Sequence, residues 1–213
     1  MELSRLSVSD TVPASPSRAF WVEWRQGWET VWHTPVLRRL IGLAVVINGA
    51  LAPFMVTLTA WVRDVLHQNA AWFGLLGACF LLGLLIGGIA LGKLSAHVRP
   101  SGLLPGGLLV TGVAIGALGL AADRWIDMGL LMVLGIGTGI VNGSLGATLL
   151  ATLAAEVRGR VMGLLSGLTT LAAPIGLGIL GPVMTQVSLP VMFALMGGLI
   201  VLSVVLVVVQ SEK

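Results

Sequence analysis

Long uncharged stretches alternate with short polar ones along this chain of 213 residues. Five stretches contain no Asp, Glu, Lys or Arg: 40–62, 65–92, 100–122, 128–155 and 161–211. Each is long enough to cross the hydrocarbon of a bilayer, which takes about 20 residues of helix. The last stretch is long enough for two crossings and is interrupted by the turn-prone residues 186–190. The pattern therefore predicts six transmembrane helices, at 40–62, 72–92, 103–122, 129–155, 161–185 and 190–209.

Composition supports a protein embedded in lipid. Hydrophobic residues make up 56% of the chain and charged residues 10%, and the mean hydropathy is +1.00. A soluble core does not need this much apolar surface. A β-barrel, the other fold that spans a bilayer, would show alternating polar and apolar residues, and this chain does not. The predicted fold class is all-α: a polytopic bundle of six membrane helices.

The positively charged residues indicate how the bundle is oriented. Cytoplasmic loops of membrane proteins carry the excess of Lys and Arg. Alternate connections carry that excess here, through Arg25, Arg38, Arg39, Lys93, Arg99, Arg158 and Arg160. The other connections hold only Arg63 and Arg124, each beside an aspartate. We therefore predict a multi-pass protein of the bacterial inner membrane with both termini in the cytoplasm.

Two segments are predicted before the first span. Residues 1–17 are polar and contain Pro and Ser, which is typical of a flexible linker or tail. Residues 18–35 place tryptophans at helical spacing with charged residues on other faces, which predicts an amphipathic helix along the membrane surface. The alternative is that these tryptophans line a ligand groove.

Glycine is frequent, with 29 in the chain, and many lie four residues apart within the predicted spans. Small residues let membrane helices approach closely. The helix-packing candidates are Gly83, Gly87, Gly88, Gly135, Gly139, Gly143, Gly163 and Gly167. Such stripes, together with Pro174, would also allow spans four and five to slide or bend. Gly176, Gly178 and Gly181 match a dinucleotide-binding pattern, but they lie inside an apolar span without the strand that the pattern requires.

Polar side chains inside the predicted spans are the candidates for a substrate cavity. An amide or hydroxyl at membrane depth needs a polar partner or a water-filled space. The candidates are Asn48 and Thr57 in span one and Thr138, Asn142, Ser144 and Thr148 in span four. The alternative interpretation is that these side chains form interhelical hydrogen bonds worth about 0.6 kcal/mol each.

The sequence predicts neither an enzyme nor a protein with a cofactor or metal. No Ser, His and Asp come together in this topology, and the three histidines flank spans without the spacing of metal ligands. No charged residue lies in the middle of a span, so no carboxylate for proton coupling is evident. The net charge of +3 forms no basic stripe with interleaved aromatic residues, which argues against nucleic-acid binding.

Three segments carry a resemblance to a known family. The first is the tryptophan-rich run 23–40, EWRQGWETVWHTPVLRRL, that enters span one. The second is 71–77, AWFGLLG, followed by the glycines of span two. The third and most specific is 158–167, RGRVMGLLSG, at the start of span five. Over residues 20–209 the chain resembles the C-terminal half of a major facilitator superfamily transporter of the macrolide-efflux and enterobactin-exporter branch.

The resemblance implies one half of a two-bundle transporter, with the substrate bound between the halves. Spans one and four would line the central cavity, spans two and five would meet a second six-helix bundle, and spans three and six would face lipid. Candidates for gating contacts in the basic loops are Lys93, Arg99, Arg158 and Arg160. Ser95 stands near the position where the family usually has an acid, so no charged latch is expected there.

Three hypotheses about function follow from these patterns. The leading one is a partial permease that exports a small drug-like or siderophore-like molecule by alternating access, with an N-terminal six-helix half as its partner. The second is a self-sufficient six-span transporter that works as a homodimer. The third is a membrane scaffold or assembly subunit without transport activity, which uses its glycine stripes to hold a partner.

Overall fold

The computed structural model describes residues 25, 28, 29, 31–120 and 122–211, with side chains as far as residue 205. Span one comprises two helices, Pro35–Leu51 and Phe54–Ala60, and a π-helical turn, Trp61–Val65. Spans two to six are single helices: Ala70–Leu94, Pro100–Leu118, Arg124–Thr152, Ala155–Met184 and Leu189–Ser211. No strand occurs among the described residues. The predicted all-α bundle is confirmed.

The lengths of the helices suit a membrane. Spans one to five are long and apolar enough to cross it, and the described side chains of span six give a shorter apolar helix, Leu189–Val205. Span one is broken at Ala52 and Pro53, because proline has no amide hydrogen to continue the helical ladder. The predicted tail at 1–17 lies outside the described residues.

Several helices begin earlier than the sequence predicts. Span one starts at Pro35 rather than 40, because the fixed backbone angle of proline suits the first helical position. Span four starts at Arg124 rather than 129, because the Asp123 carboxylate accepts hydrogen bonds from backbone amides of the first turn at 2.8 and 3.0 Å. Span five starts at Ala155 rather than 161. These extensions bring charged residues into the helices.

The spans run alternately between two ends of the bundle. The basic end, named for its cations, holds the start of span one, the connections 95–99 and 153–154, and the end of span six. The opposite end holds the connections 66–69 and 185–188 and, between spans three and four, the described residues 119, 120, 122 and 123. At the basic end, the described helical residues that precede span one include Trp28 and Trp32, whose rings stack with centroids 5.6 Å apart.

Contacts between the spans follow an internal symmetry. Span four packs against spans two and three, and span one packs against spans five and six. Spans three and six also pack on each other, and spans one and four touch lightly. If span one is exchanged with span four, span two with five and span three with six, the same set of contacting pairs results. Because spans one and four run in opposite directions, this contact pattern is the one expected of two inverted three-helix units.

Glycines form the crossing of spans two and four. A methyl group added to Gly83 would overlap the carbonyl oxygen of Met132, and one added to Gly135 would overlap that of Phe80. Gly87 and Gly139 face the partner backbone in the same way. The two helices therefore touch through their backbones, which small residues allow.

The other candidate glycines are placed differently. Gly143 lies against the Leu91 side chain, and Gly167 is half-buried. Side chains at Gly88 or Gly163 would meet no atom within 4 Å, so neither position requires a glycine for contacts within this chain. The equivalent crossing of spans one and five uses Gly49 and Gly176 instead, and a methyl group on Gly176 would overlap the backbone of Gly49.

Candidate functional site

Two carboxamides lie at similar depth in the bundle. At 1.5 Å per residue, Asn48 lies about 20 Å from the start of span one and Asn142 about 15 Å from the end of span four. Both side chains are exposed on the surface of this chain. The Asn48 amide donates a hydrogen bond to the backbone oxygen of Ala44, 2.8 Å away in its own helix. Two exposed amides at mid-membrane depth call for a polar or water-filled environment.

Three of the four hydroxyl groups among the cavity candidates donate hydrogen bonds to the backbone one turn earlier. Thr57, Thr138 and Thr148 each donate to the carbonyl oxygen four residues earlier, at 2.9, 2.8 and 2.7 Å. Thr57 and Ser144 are fully buried, and the Ser144 hydroxyl has no partner among the described residues. Of the six candidates, Thr148 lines the cavity at the basic end.

The opposite end is closed by a buried hydrogen bond between spans one and four. The indole nitrogen Nε1 of Trp61 donates to the Asp127 carboxylate oxygen Oδ2 at 2.7 Å. Trp61 is 2% exposed and Asp127 is 0% exposed. The Trp61 ring also meets Phe193 of span six edge-on, with centroids 5.6 Å apart. Three spans are thus joined at this end.

Aromatic and cationic side chains surround that closure. Trp72 of span two and Trp125 of span four meet edge-on with centroids 5.5 Å apart. The Arg124 guanidinium lies 5.7 Å from the centroid of a Trp72 ring and 5.3 Å from that of a Trp125 ring, within the range of cation–π attraction. Tryptophans at this level are typical of a membrane–water interface.

The basic end contains a cavity of about 820 Å³ between spans one, three, four and six. Arg38 and Arg39 contribute its cationic groups, and Thr148 and Ser203 contribute hydroxyls. The remaining lining residues are Val36, Leu40, Gly42, Leu43, Val46, Ser101, Gly102, Leu104 and Pro105. This volume lies within the range of about 300–1,000 Å³ that is typical of ligand pockets.

The four basic gating candidates also lie at the basic end, outside the lining of the cavity. Lys93 is in the last turn of span two, and Arg99 directly precedes span three. Arg158 and Arg160 lie in the first turns of span five, where the Arg158 Nε donates to the backbone oxygen of Leu153 at 3.1 Å. They are helix-terminal residues rather than loop residues, apart from Arg99.

The sequence model of the Major Facilitator Superfamily matches residues 40–213. The chain belongs to this superfamily. None of the curated proteins compared with the chain matches it. Major facilitator proteins are secondary transporters, so the general function is secondary transport by a multi-pass membrane protein in contact with lipid. Proteins of this superfamily contain inverted three-helix repeats, and the contacts between the spans of this chain follow the same pattern.

Sequence reasoning missed the two residues that close the opposite end. Asp127 precedes the predicted start of span four at 129, and Trp61 lies at the end of predicted span one, where tryptophan is typical of the membrane interface. The cavity was missed as well, because Arg38 and Arg39 were assigned to the segment before span one. An earlier start of span one, signalled by Pro35, would have placed both arginines on the helix.

Proposed function

We propose that this chain is one half of a two-bundle exporter that moves a small drug-like or siderophore-like molecule by alternating access. Spans one and four then line the central cavity, spans two and five face a second six-helix bundle, and spans three and six face lipid. Family membership gives secondary transport in general, and the surfaces of the individual spans support the rest of the proposal.

The unequal burial of the spans is the observation that carries the proposal. In their most apolar windows, spans one, three and four are 50%, 44% and 44% buried, whereas spans two and five are 22% and 17% buried. Glycines on these two open spans, such as Gly92 and Gly178, face empty space. Small residues on an exposed membrane helix favour contact with another helix. A second bundle docked on spans two and five would cover their exposed surfaces and pack against their exposed glycines.

The exposed amides support a polar path between the two halves. Asn48 and Asn142 lie on the two spans assigned to the central cavity and at similar depth. An amide that faces lipid at this depth would lose its hydrogen bonds to water. The exposed side chains of spans three and six include Leu109, Val113 and Leu202, and these apolar residues suit direct contact with lipid.

Co-expression with a separate six-span N-terminal half of the same superfamily tests this function. We expect cells with both halves to expel a fluorescent amphipathic dye, and cells with this chain alone to retain it. Asn142→Ala should lower the efflux rate severalfold, while the matched lipid-facing variant Val113→Ala should leave it unchanged. Equal efflux from Asn142→Ala and the unsubstituted chain, at equal expression, would favour a scaffold without a substrate path.

A second copy of this chain is the other partner that the open faces of spans two and five could accept. Cysteine crosslinking separates the two partners when Cys79→Ser is the background. Leu85→Cys places a thiol on an exposed part of span two, and Val113→Cys places one on span three. Crosslinks between identical chains at position 85 but not at 113 would support the homodimer. Their absence, together with efflux from the co-expressed halves, would support the two-bundle exporter.

A further inference from the structure

The cavity at the basic end has a cationic mouth and an apolar interior. Arg38 and Arg39 lie in the first two turns of span one and line the cavity. Cationic residues at the end of a membrane helix are expected near the lipid headgroups. Further along the same helix, Leu43 and Val46 line the cavity, and Leu104 of span three lies opposite. No acidic side chain is among the described residues of the lining. The cavity therefore matches a ligand with a negative head and an apolar tail.

Two helix N-termini add positive potential at the mouth. Spans one and three begin there, and residues of both first turns line the cavity. The residues that precede them, Thr34 and Arg99, make no capping hydrogen bond with their side chains. Neither first turn contains an acidic residue. The N-terminus of a helix attracts anions through its dipole and its unsatisfied amides, and the two arginines add to that attraction.

The position of Arg38 at the headgroup level is supported by its contact with Trp32. The guanidinium carbon lies 5.6 Å from the centroid of a Trp32 ring, which is 55% exposed. An arginine over an exposed indole is typical of a membrane interface, where both groups remain in contact with water.

We propose that this cavity binds an anionic phospholipid. Its phosphate group lies between Arg38, Arg39 and the start of span three, and an acyl chain follows the apolar wall toward Val46. Basic pockets between membrane helices recognise anionic headgroups in this way. Inorganic phosphate would match the positive charge of the two arginines but leave the apolar wall uncovered. The site lies between spans one, three, four and six of this chain rather than between two bundles, and it shares Thr148 with the candidates for the substrate cavity.

Native mass spectrometry of the purified chain with an equimolar mixture of phosphatidylglycerol and phosphatidylcholine tests the site. We expect the unsubstituted chain to retain phosphatidylglycerol selectively. A cationic side chain near the headgroups contributes about a fivefold factor to the binding of anionic lipid. The double variant Arg38→Gln/Arg39→Gln should therefore lose the selectivity by about 25-fold. The control Arg158→Gln/Arg160→Gln removes two cations of the same end outside the cavity and should retain it.

A second variant separates a cavity from a basic surface. A side chain at Gly42 would meet no atom within 4 Å and would project from a residue that lines the cavity. Gly42→Leu should therefore fold normally, keep both arginines and lose most of the bound lipid because it fills the apolar space. Gly92→Leu, on the open face of span two, is the matched control and should keep the lipid.

The outcomes are distinct. Equal lipid selectivity in the unsubstituted chain and the Arg38/Arg39 double variant would overturn the site. Retention of phosphatidylglycerol by Gly42→Leu would show attraction to a charged surface, and the cavity assignment would be wrong. Competition by millimolar inorganic phosphate that displaces the lipid completely would indicate a site for a free anion and would overturn the lipid assignment.

Discussion

The two ends of the bundle are built from different chemistry. At the opposite end Trp61, Asp127 and Phe193 join three spans through a buried hydrogen bond and an aromatic contact. At the basic end the same spans separate around a cavity with Arg38 and Arg39 at its mouth. The bundle is therefore closed where Trp61 and Asp127 are buried together and open where Arg38 and Arg39 line a cavity.

The starts of the helices follow the same division. Spans two and four begin at the opposite end, and the side chains of Asn69 and Asp123 accept hydrogen bonds from their first amides. Spans one and three begin at the basic end without a side-chain cap. A cap completes the hydrogen bonding of a helix locally, whereas an uncapped start leaves its amides for another partner. The first-turn amides of spans two and four are thus bonded within this chain, whereas those of spans one and three can bond to a ligand.

The largest contrast is expected between two tryptophans. Trp61→Ala removes a buried ring and should lower the free energy of unfolding by about 3–5 kcal/mol. Trp32→Ala removes an exposed ring of the basic end and should change it by no more than about 0.5 kcal/mol. Unfolding in mixed micelles with increasing SDS measures both. Similar losses for the two variants would show that the ends are equally packed.

An intermediate contrast is expected between Gly102 in span three and Gly119, which directly follows that span. At the opposite end, a methyl group on Gly119 would lie 2.7 Å from the Cα of Pro190 in span six. Gly119→Ala should cost about 1–3 kcal/mol, because one backbone must move. At the basic end, a methyl group on Gly102 would lie at an ordinary 3.4 Å from Val98. Gly102→Ala should be neutral or stabilising in the same titration, and a loss equal to that of Gly119→Ala would contradict the comparison.

The smallest contrast concerns the helix caps. Asp123→Ala removes the acceptor for two amides of span four and should destabilise by about 1 kcal/mol. Thr34→Ala removes a side chain that makes no capping bond and should have no measurable effect. Hydrogen exchange of the first-turn amides provides the readout. Faster exchange in span one of Thr34→Ala would show that this start is capped after all.

Much of the fold could be predicted from the sequence, because lipid imposes a simple rule. Uncharged stretches longer than about 20 residues are expected to be membrane helices, so the six spans and their order could be predicted. Glycine spacing also predicted close helix packing, but it did not indicate that spans two and four cross at Gly83 and Gly135. The helix starts were harder to predict, because the uncharged stretches omit the charged first turns that contain Arg38 and Arg158.

The sites were harder to predict, because they depend on which faces of distant spans meet. Trp61 and Asp127 are 66 positions apart in the sequence, and the residue types alone do not indicate that these side chains are buried. The crossing of spans one and five uses Gly49 and Gly176, which stand in no regular glycine stripe shared by the two helices. Asn48 and Asn142 are polar residues in apolar helices and could be singled out, but their role as cavity residues stays a prediction.

Thiol reactivity tests the difference between the two ends most directly. In a Cys79→Ser background, Thr57→Cys reports on the closed end and Thr148→Cys on the cavity at the basic end. In detergent free of phospholipid, we predict that a small water-soluble thiol reagent modifies position 148 at least about 100-fold faster than position 57, because the reagent must reach the thiol. Equal rates, or faster modification at position 57, would contradict the account.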